Sequence, residues 1–142
     1  MRTATAAWDV DVLVADAAEL PRPDDGFDRI LLDVPCTGLG ALRRRPEARW
    51  RRTEADLTEL TALQARLLAA AVRLVRPGGL IGYVTCSPHR AETAAIVAGQ
   101  PMQDARPAFP AVPALGPGPT VQLWPHRHGT DAMFCALIRP GA

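Results

Sequence analysis

Residues 54–85 read EADLTELTALQARLLAAAVRLVRPGGLIGYVT, and this stretch decides the fold. Leu60, Leu63, Leu67, Ala70 and Leu74 recur at three- and four-residue spacing, which predicts one apolar stripe along a long helix. Thr53 stands where it can cap that helix, with Asp56 three residues on as the partner of a capping box. Pro77-Gly78-Gly79 is a helix stop, and the short apolar run Leu80–Thr85 predicts a buried strand.

Working outward, Arg29-Ile30-Leu31-Leu32-Asp33 predicts another strand, apolar enough to be buried on both faces. Before it, the β-branched run Val10–Ala15 predicts a strand ending at Asp16, and Pro21–Gly26 a connection. On the other side, residues 90–98 predict a short helix. Residues 99–119 hold six prolines and three glycines, which predicts an irregular, mobile surface loop. Thr120–Trp124 and Ala132–Ile138 predict two strands of a closing hairpin, joined by Pro125–Asp131. Strand, helix and strand in alternation predict a parallel, doubly wound α/β sheet. Such sheets bind ligands at the carboxyl ends of their strands. Those ends carry Asp16, Asp33-Val34-Pro35-Cys36 and Thr85-Cys86-Ser87.

The 142 residues allow one domain, and 48% hydrophobic with 22% charged residues excludes a disordered or collagen-like chain. No apolar run reaches the ~18 residues of a membrane span, and Met1-Arg2-Thr3-Ala4 lacks the apolar stretch of a signal peptide. A soluble, cytoplasmic protein is expected. All 16 basic residues are arginines, and six of them fall in residues 43–52, RRRPEARWRR. Arg43, Arg44, Arg45, Arg49 and Arg51, with Trp50 among them, suit phosphate contact and base stacking and predict an RNA-binding segment. Three cysteines form an odd set without close pairing, which argues against a disulfide framework and against a zinc cluster. No metal site is expected; His126 and His128 could touch phosphate, and His89 could cap a turn or face solvent.

Cys36 and Cys86 lie fifty residues apart, yet each follows a predicted buried strand. A right-handed crossover through the long helix would make those strands parallel neighbours, with their ends about 4.8 Å apart and both thiols facing one cleft. Cys135, within Met133–Leu137, is expected to pack in the core.

These motifs resemble RNA (cytosine-5) methyltransferases of the Nol/Nop/Sun family, which includes bacterial ribosomal RNA methyltransferases. The resemblance is carried by Asp33–Gly40, Arg44, Pro46, Trp50, Gln64, Pro77-Gly78-Gly79, Tyr83–Ser87, Trp124-Pro125-His126 and Gly129–Phe134. It implies a Rossmann-like sheet that uses S-adenosyl-L-methionine, with an RNA partner. It implies that Cys86 is the nucleophile, that Cys36 helps release the methylated base and that Asp33 holds the cytosine edge. Asp16, Asp33 and Pro35 would face the cofactor, Asp16 at its adenine amino group. An exposed turn or cap is the plainer role for Asp16.

The chain departs from the family pattern in several places. Nothing in Met1–Asp9 resembles the family's glycine-rich cofactor loop, and no lysine occurs anywhere. Ala132 stands where glycine is usual, and Thr93 where asparagine is usual. The expectation is therefore a partial catalytic domain over residues 1–142, with strands missing between 10–15 and 29–33 and with weak cofactor binding and activity. The rival expectations are a DNA cytosine-5 methyltransferase using the Pro-Cys cysteine, or a non-catalytic RNA-binding remnant. A thiol redox protein is disfavoured, because no Cys-x-x-Cys occurs.

Overall fold

The computed structural model describes residues 10–141. Strand β1 (Phe27–Asp33) leads through short helix α1 (Ala48–Arg51) into the long helix α2 (Glu54–Leu74). Strand β2 (Val75–Thr85) follows directly, then β3 (Met102–Gln103), β4 (Val121–Gln122), a short helix α3 (Pro125–His128) and β5 (Phe134–Ile138). The sheet order is β1-β2-β5-β3, with β4 also pairing β5. β1 and β2 are parallel, from Arg29 opposite Leu80 to Asp33 opposite Val84. The β2–β5 pairing is antiparallel, from Ile81 opposite Ile138 to Thr85 opposite Phe134. The expected crossover and closing hairpin are both present, in a mixed sheet.

The capping box forms as the sequence predicts. The Asp56 N–H donates to Thr53 Oγ1 at 3.2 Å, and the Thr53 N–H donates back to Asp56 Oδ2 at 2.8 Å. These bonds satisfy donors that a helix start leaves open. The helix buries Gln64, Leu68, Ala70, Ala71 and Leu74, so Ala70 and Leu74 of the expected stripe are buried while Leu60, Leu63 and Leu67 are half-buried beside it. The helix also ends earlier than Pro77: Val75 is already extended, because Arg76 before a proline disfavours helical backbone. Gly78, at φ 72°, takes the left-handed turn that follows.

One core lies between α2 and the sheet, built from Val34, Leu68, Ala71, Val75, Ile81, Tyr83, Val97, Phe134, Ala136 and Ile138. Tyr83 and Phe134 meet edge to face at 6.3 Å. A smaller core, Ala105, Leu115 and Val121, packs with Cys135 and Leu137. Side chains alternate along β5, so residues 99–119 cover its second face. That segment is therefore packed, and it includes β3, rather than being an unattached irregular loop. Cys135 sits in this packing as expected.

Three further expectations are corrected. Val10–Ala15 forms no strand; Val14 is 95% exposed, and among the described residues no neighbouring strand offers it a ladder. β1 is not buried on both faces, because it is the first strand of the sheet and α2 covers one side; Leu31 is 78% exposed. No described strand pairs with β1's outer edge. Residues 90–98 start with a 3₁₀ turn, Arg90–Glu92, which His89 caps by accepting the Ala91 N–H at 3.2 Å. Thr93, at φ −121° and ψ −101°, prevents a regular helix from following.

Thr53→Ala is expected to lower stability by about 1 kcal/mol. Urea denaturation should show a lower midpoint with an unchanged slope.

Candidate active site

β1 and β2 end side by side, and the ladder runs one bond further, with the Val34 N–H donating to Val84 O at 3.2 Å. Beyond it the chain turns sharply at Gly38, and Gly40 locks three segments together. The Gly40 N–H donates to Cys86 O at 2.9 Å, and Gly40 O accepts the Ala132 N–H at 2.9 Å. A Cβ on Gly40 would lie 2.0 Å from Ala132 O and 2.7 Å from Cys86 O, so only glycine fits. Ala132, one of the departures from the family pattern, is accommodated in this junction.

Cys36 Sγ and Cys86 Sγ are 3.3 Å apart, both as free thiols. They share a cleft of ≈ 590 Å³ whose lining includes Asp33, Pro35, Arg44, Arg45 and Arg52. Donation from Cys86 pulls the Cys36 thiol from 9.0 down to about 6 against the opposing effect of burial. Cys86 is pushed up, first by donating to Cys36 and then by burial. Two acids this close lose one proton easily and the second with difficulty. The thiol that is pulled down is therefore Cys36, the neighbour of the expected nucleophile.

A buried acid holds the two loops in place. The Glu92 carboxylate accepts the Thr37 N–H at 2.8 Å, the Thr37 hydroxyl at 2.6 Å, Gln64 Nε2 at 3.2 Å and the Ser87 hydroxyl at 2.5 Å. Gln64 Nε2 also donates to Pro35 O at 2.8 Å, and the Tyr83 hydroxyl to Glu92 O at 2.7 Å. Thr37 follows Cys36 and Ser87 follows Cys86, so one carboxylate fixes both cysteine loops. Leaving any of these buried donors unpaired would cost about 1–3 kcal/mol.

The arginine segment is divided. Asp131 accepts Arg43 Nε at 2.9 Å and both Nε and Nη2 of Arg44, and these two arginines hold its carboxyl down at about 2. Arg52 Nε donates to Thr37 O at 3.1 Å, and Arg49 lies over the Trp50 ring at 5.2 Å. Trp50 is 81% exposed.

Asp33, Pro35, Cys36 and Cys86 thus converge as the sequence predicts, together with Arg44 and Arg45. Asp16 does not join them. It accepts the Ala18 N–H at 2.9 Å and lies 3.9 Å from Arg66, as an exposed turn residue away from the cleft. His128 is occupied, accepting the Trp124 N–H at 2.8 Å on one ring nitrogen and meeting Pro113 O at 3.0 Å on the other. Among the described residues no group of three or more His, Cys, Asp or Glu is placed to hold a metal ion, and no helix is long and apolar enough to cross a membrane. Glu92 and Asp131 were not legible as site residues, because Thr37 and Gln64 lie 55 and 28 positions from Glu92, and Arg43 and Arg44 lie 88 and 87 positions from Asp131.

A family model described as 16S rRNA methyltransferase RsmB/F matches residues 3–139. A putative methyltransferase of Mycobacterium tuberculosis is 62% identical over 123 residues, covering 82% of this chain and 27% of the relative. The ribosomal RNA small subunit methyltransferase B of Erwinia tasmaniensis is 37% identical over 115 residues, 81% of this chain and 27% of its own length. The crystal structure of NSun6 from Pyrococcus horikoshii with SFG superposes with a TM-score of 0.76 at 28% identity, over 93% of this chain and 35% of that one. The chain therefore spans about a quarter to a third of the proteins it matches.

Alkylation of Cys36 by iodoacetamide, read by peptide mass spectrometry, should fall by half as pH drops through about 6. Cys86→Ala removes the donor, so the half-point should move up toward 9.0. An unmoved half-point would contradict the sulfur contact.

Proposed function

Since the chain belongs to the 16S rRNA methyltransferase RsmB/F family, we propose that its cleft methylates C5 of cytosine in RNA, taking ribosomal RNA in the cytoplasm as substrate. The observation that carries this is the pair of thiols 3.3 Å apart at the ends of two parallel strands. Cytosine C5 is too poor a nucleophile within the aromatic ring. A thiolate adding at C6 breaks the aromaticity and makes C5 nucleophilic, which divides one hard step into easier ones.

Cys86 is the less buried of the two cysteines and is the proposed nucleophile. At rest it holds the shared proton, and Cys36 is the anion. Passing that proton across 3.3 Å to Cys36 frees the Cys86 thiolate to bond to C6. C5 would then take the methyl group; loss of the C5 proton to solvent water leaves the electron pair that re-forms the C5–C6 double bond and expels Cys86 as a thiolate, with Cys36 assisting release. Asp33, exposed at the rim, is suited to accept from the cytosine amino group. The base must leave its stack to reach this cleft, which favours single-stranded or looped RNA. Arg45, Arg49 and Arg51 suit the backbone, and Trp50 offers a stacking face.

S-adenosyl-L-methionine supplies the methyl group in this chemistry when bound. Asp33 and Pro35 line the cleft and fit its approach. Asp16 does not line it and is assigned no cofactor contact. The 142-residue chain on its own is therefore proposed to bind the methyl donor weakly. Calorimetry should find no micromolar binding, and micromolar affinity would overturn that point.

The lowered Cys36 thiol favours one rival, attack by Cys36 as in DNA cytosine-5 methyltransferases. RNA containing 5-fluorocytosine discriminates, because the fluorine blocks release and traps the adduct. The parent chain given S-adenosyl-L-methionine should form a complex stable on a denaturing gel. Cys86→Ala should abolish it and Cys36→Ala should keep it; the reverse pattern would assign the attack to Cys36. Salt-sensitive RNA binding without any adduct would leave only a binding remnant.

A further inference from the structure

Asp131 grips two residues of the arginine segment, Arg43 and Arg44, and is 8% exposed. It lies between α3 and β5, and the next residue, Ala132, is tied through its N–H to Gly40 O at 2.9 Å. Its carboxylate is thus fixed to the cleft wall. From there it accepts Arg43 Nε at 2.9 Å and takes Arg44 in a fork through Nε and Nη2. Arg44 lines the cleft, but its Nη1 makes no hydrogen bond among the described residues. Arg45 and Arg52 line the same cleft, against a single acid, Asp33.

A guanidinium held by two of its nitrogens presents the third in a fixed direction. The planar fork suits phosphate, and pre-ordering removes the loss of side-chain freedom on binding. We propose that Asp131 is a positioning residue that aims Arg44 into the cleft mouth, forming with Arg45 and Arg52 a site for one RNA backbone phosphate beside the target base, a role that rests on the RNA reading above. Arg43, held by the same carboxylate, braces it from the other side. Arg49 and Arg51 lie outside this site, which divides the cluster into a fixed part and a steering part.

Removing an acid beside arginines gives opposite results under the two accounts. If the cluster acts only by bulk charge, Asp131→Asn adds one positive charge and RNA binding tightens. If Asp131 positions Arg44, binding weakens although the protein has become more basic. The experiment is fluorescence anisotropy of a cytosine-containing single-stranded oligoribonucleotide against salt, using the full chain. Asp131→Asn is expected to weaken binding about fivefold and to reduce the salt slope by about 1. Arg44→Ala should do the same, and the double variant should be no weaker than Arg44→Ala alone. A uridine-only oligonucleotide should show equal losses, because a phosphate carries no base identity. Arg44→Lys, at an exposed position that does not threaten folding, keeps the charge and loses the fork, and should bind nearly as poorly as Arg44→Ala. Parent-like binding by Arg44→Lys, equal or tighter binding by Asp131→Asn, or additive losses would each overturn the positioning role. A parent chain that does not bind RNA overturns the RNA reading and this role together.

Discussion

The parallel pairing of β1 with β2 is the constraint on which the rest depends. Its register sets Asp33 opposite Val84 and carries the ladder to Val34, so both chains leave the sheet at one level. Cys36 and Cys86 follow within three residues of those ends, and their sulfurs meet at 3.3 Å. A slip of one residue in either strand would turn its side chains to the opposite face and separate the thiols. The core between α2 and the sheet therefore holds the chemistry in register as well as the fold.

The ladder brings the sulfurs near, and Glu92 fixes the distance. A carboxylate this deeply buried is costly unless donors surround it, and here they come from both cysteine loops and from α2. The polar member of the buried helical face has the same origin. Gln64 occupies a buried position because its amide serves Pro35 O and Glu92. A polar network inside the core is thus the means by which α2 senses the geometry of the cleft.

Much of this was legible in the sequence, and for physical reasons. The Thr53 cap, the long helix, the strand into Cys86 and the closing hairpin rest on local spacing and local backbone chemistry. The meeting of Cys36 and Cys86 followed from the handedness of a crossover. Val10–Ala15 forms no strand because a β-branched run needs a partner beside it, and none pairs with it among the described residues. The segment 99–119 was misread because its prolines forbid regular structure without forbidding packing against β5. The polarity of the thiol pair lay out of reach, since it depends on the direct contact of the two sulfurs and on how deeply each is buried. Asp131 was equally hidden, 87 residues from the arginine it grips.

The thiol contact itself is the central claim, and mild oxidation measures it. Diamide treatment of the folded chain, followed by digestion and mass spectrometry without reductant, should yield one internal crosslink joining the Cys36 and Cys86 peptides, with Cys135 left as a thiol. Absence of that crosslink, or a mixture of pairings involving Cys135, would show that the two sulfurs do not share a cleft.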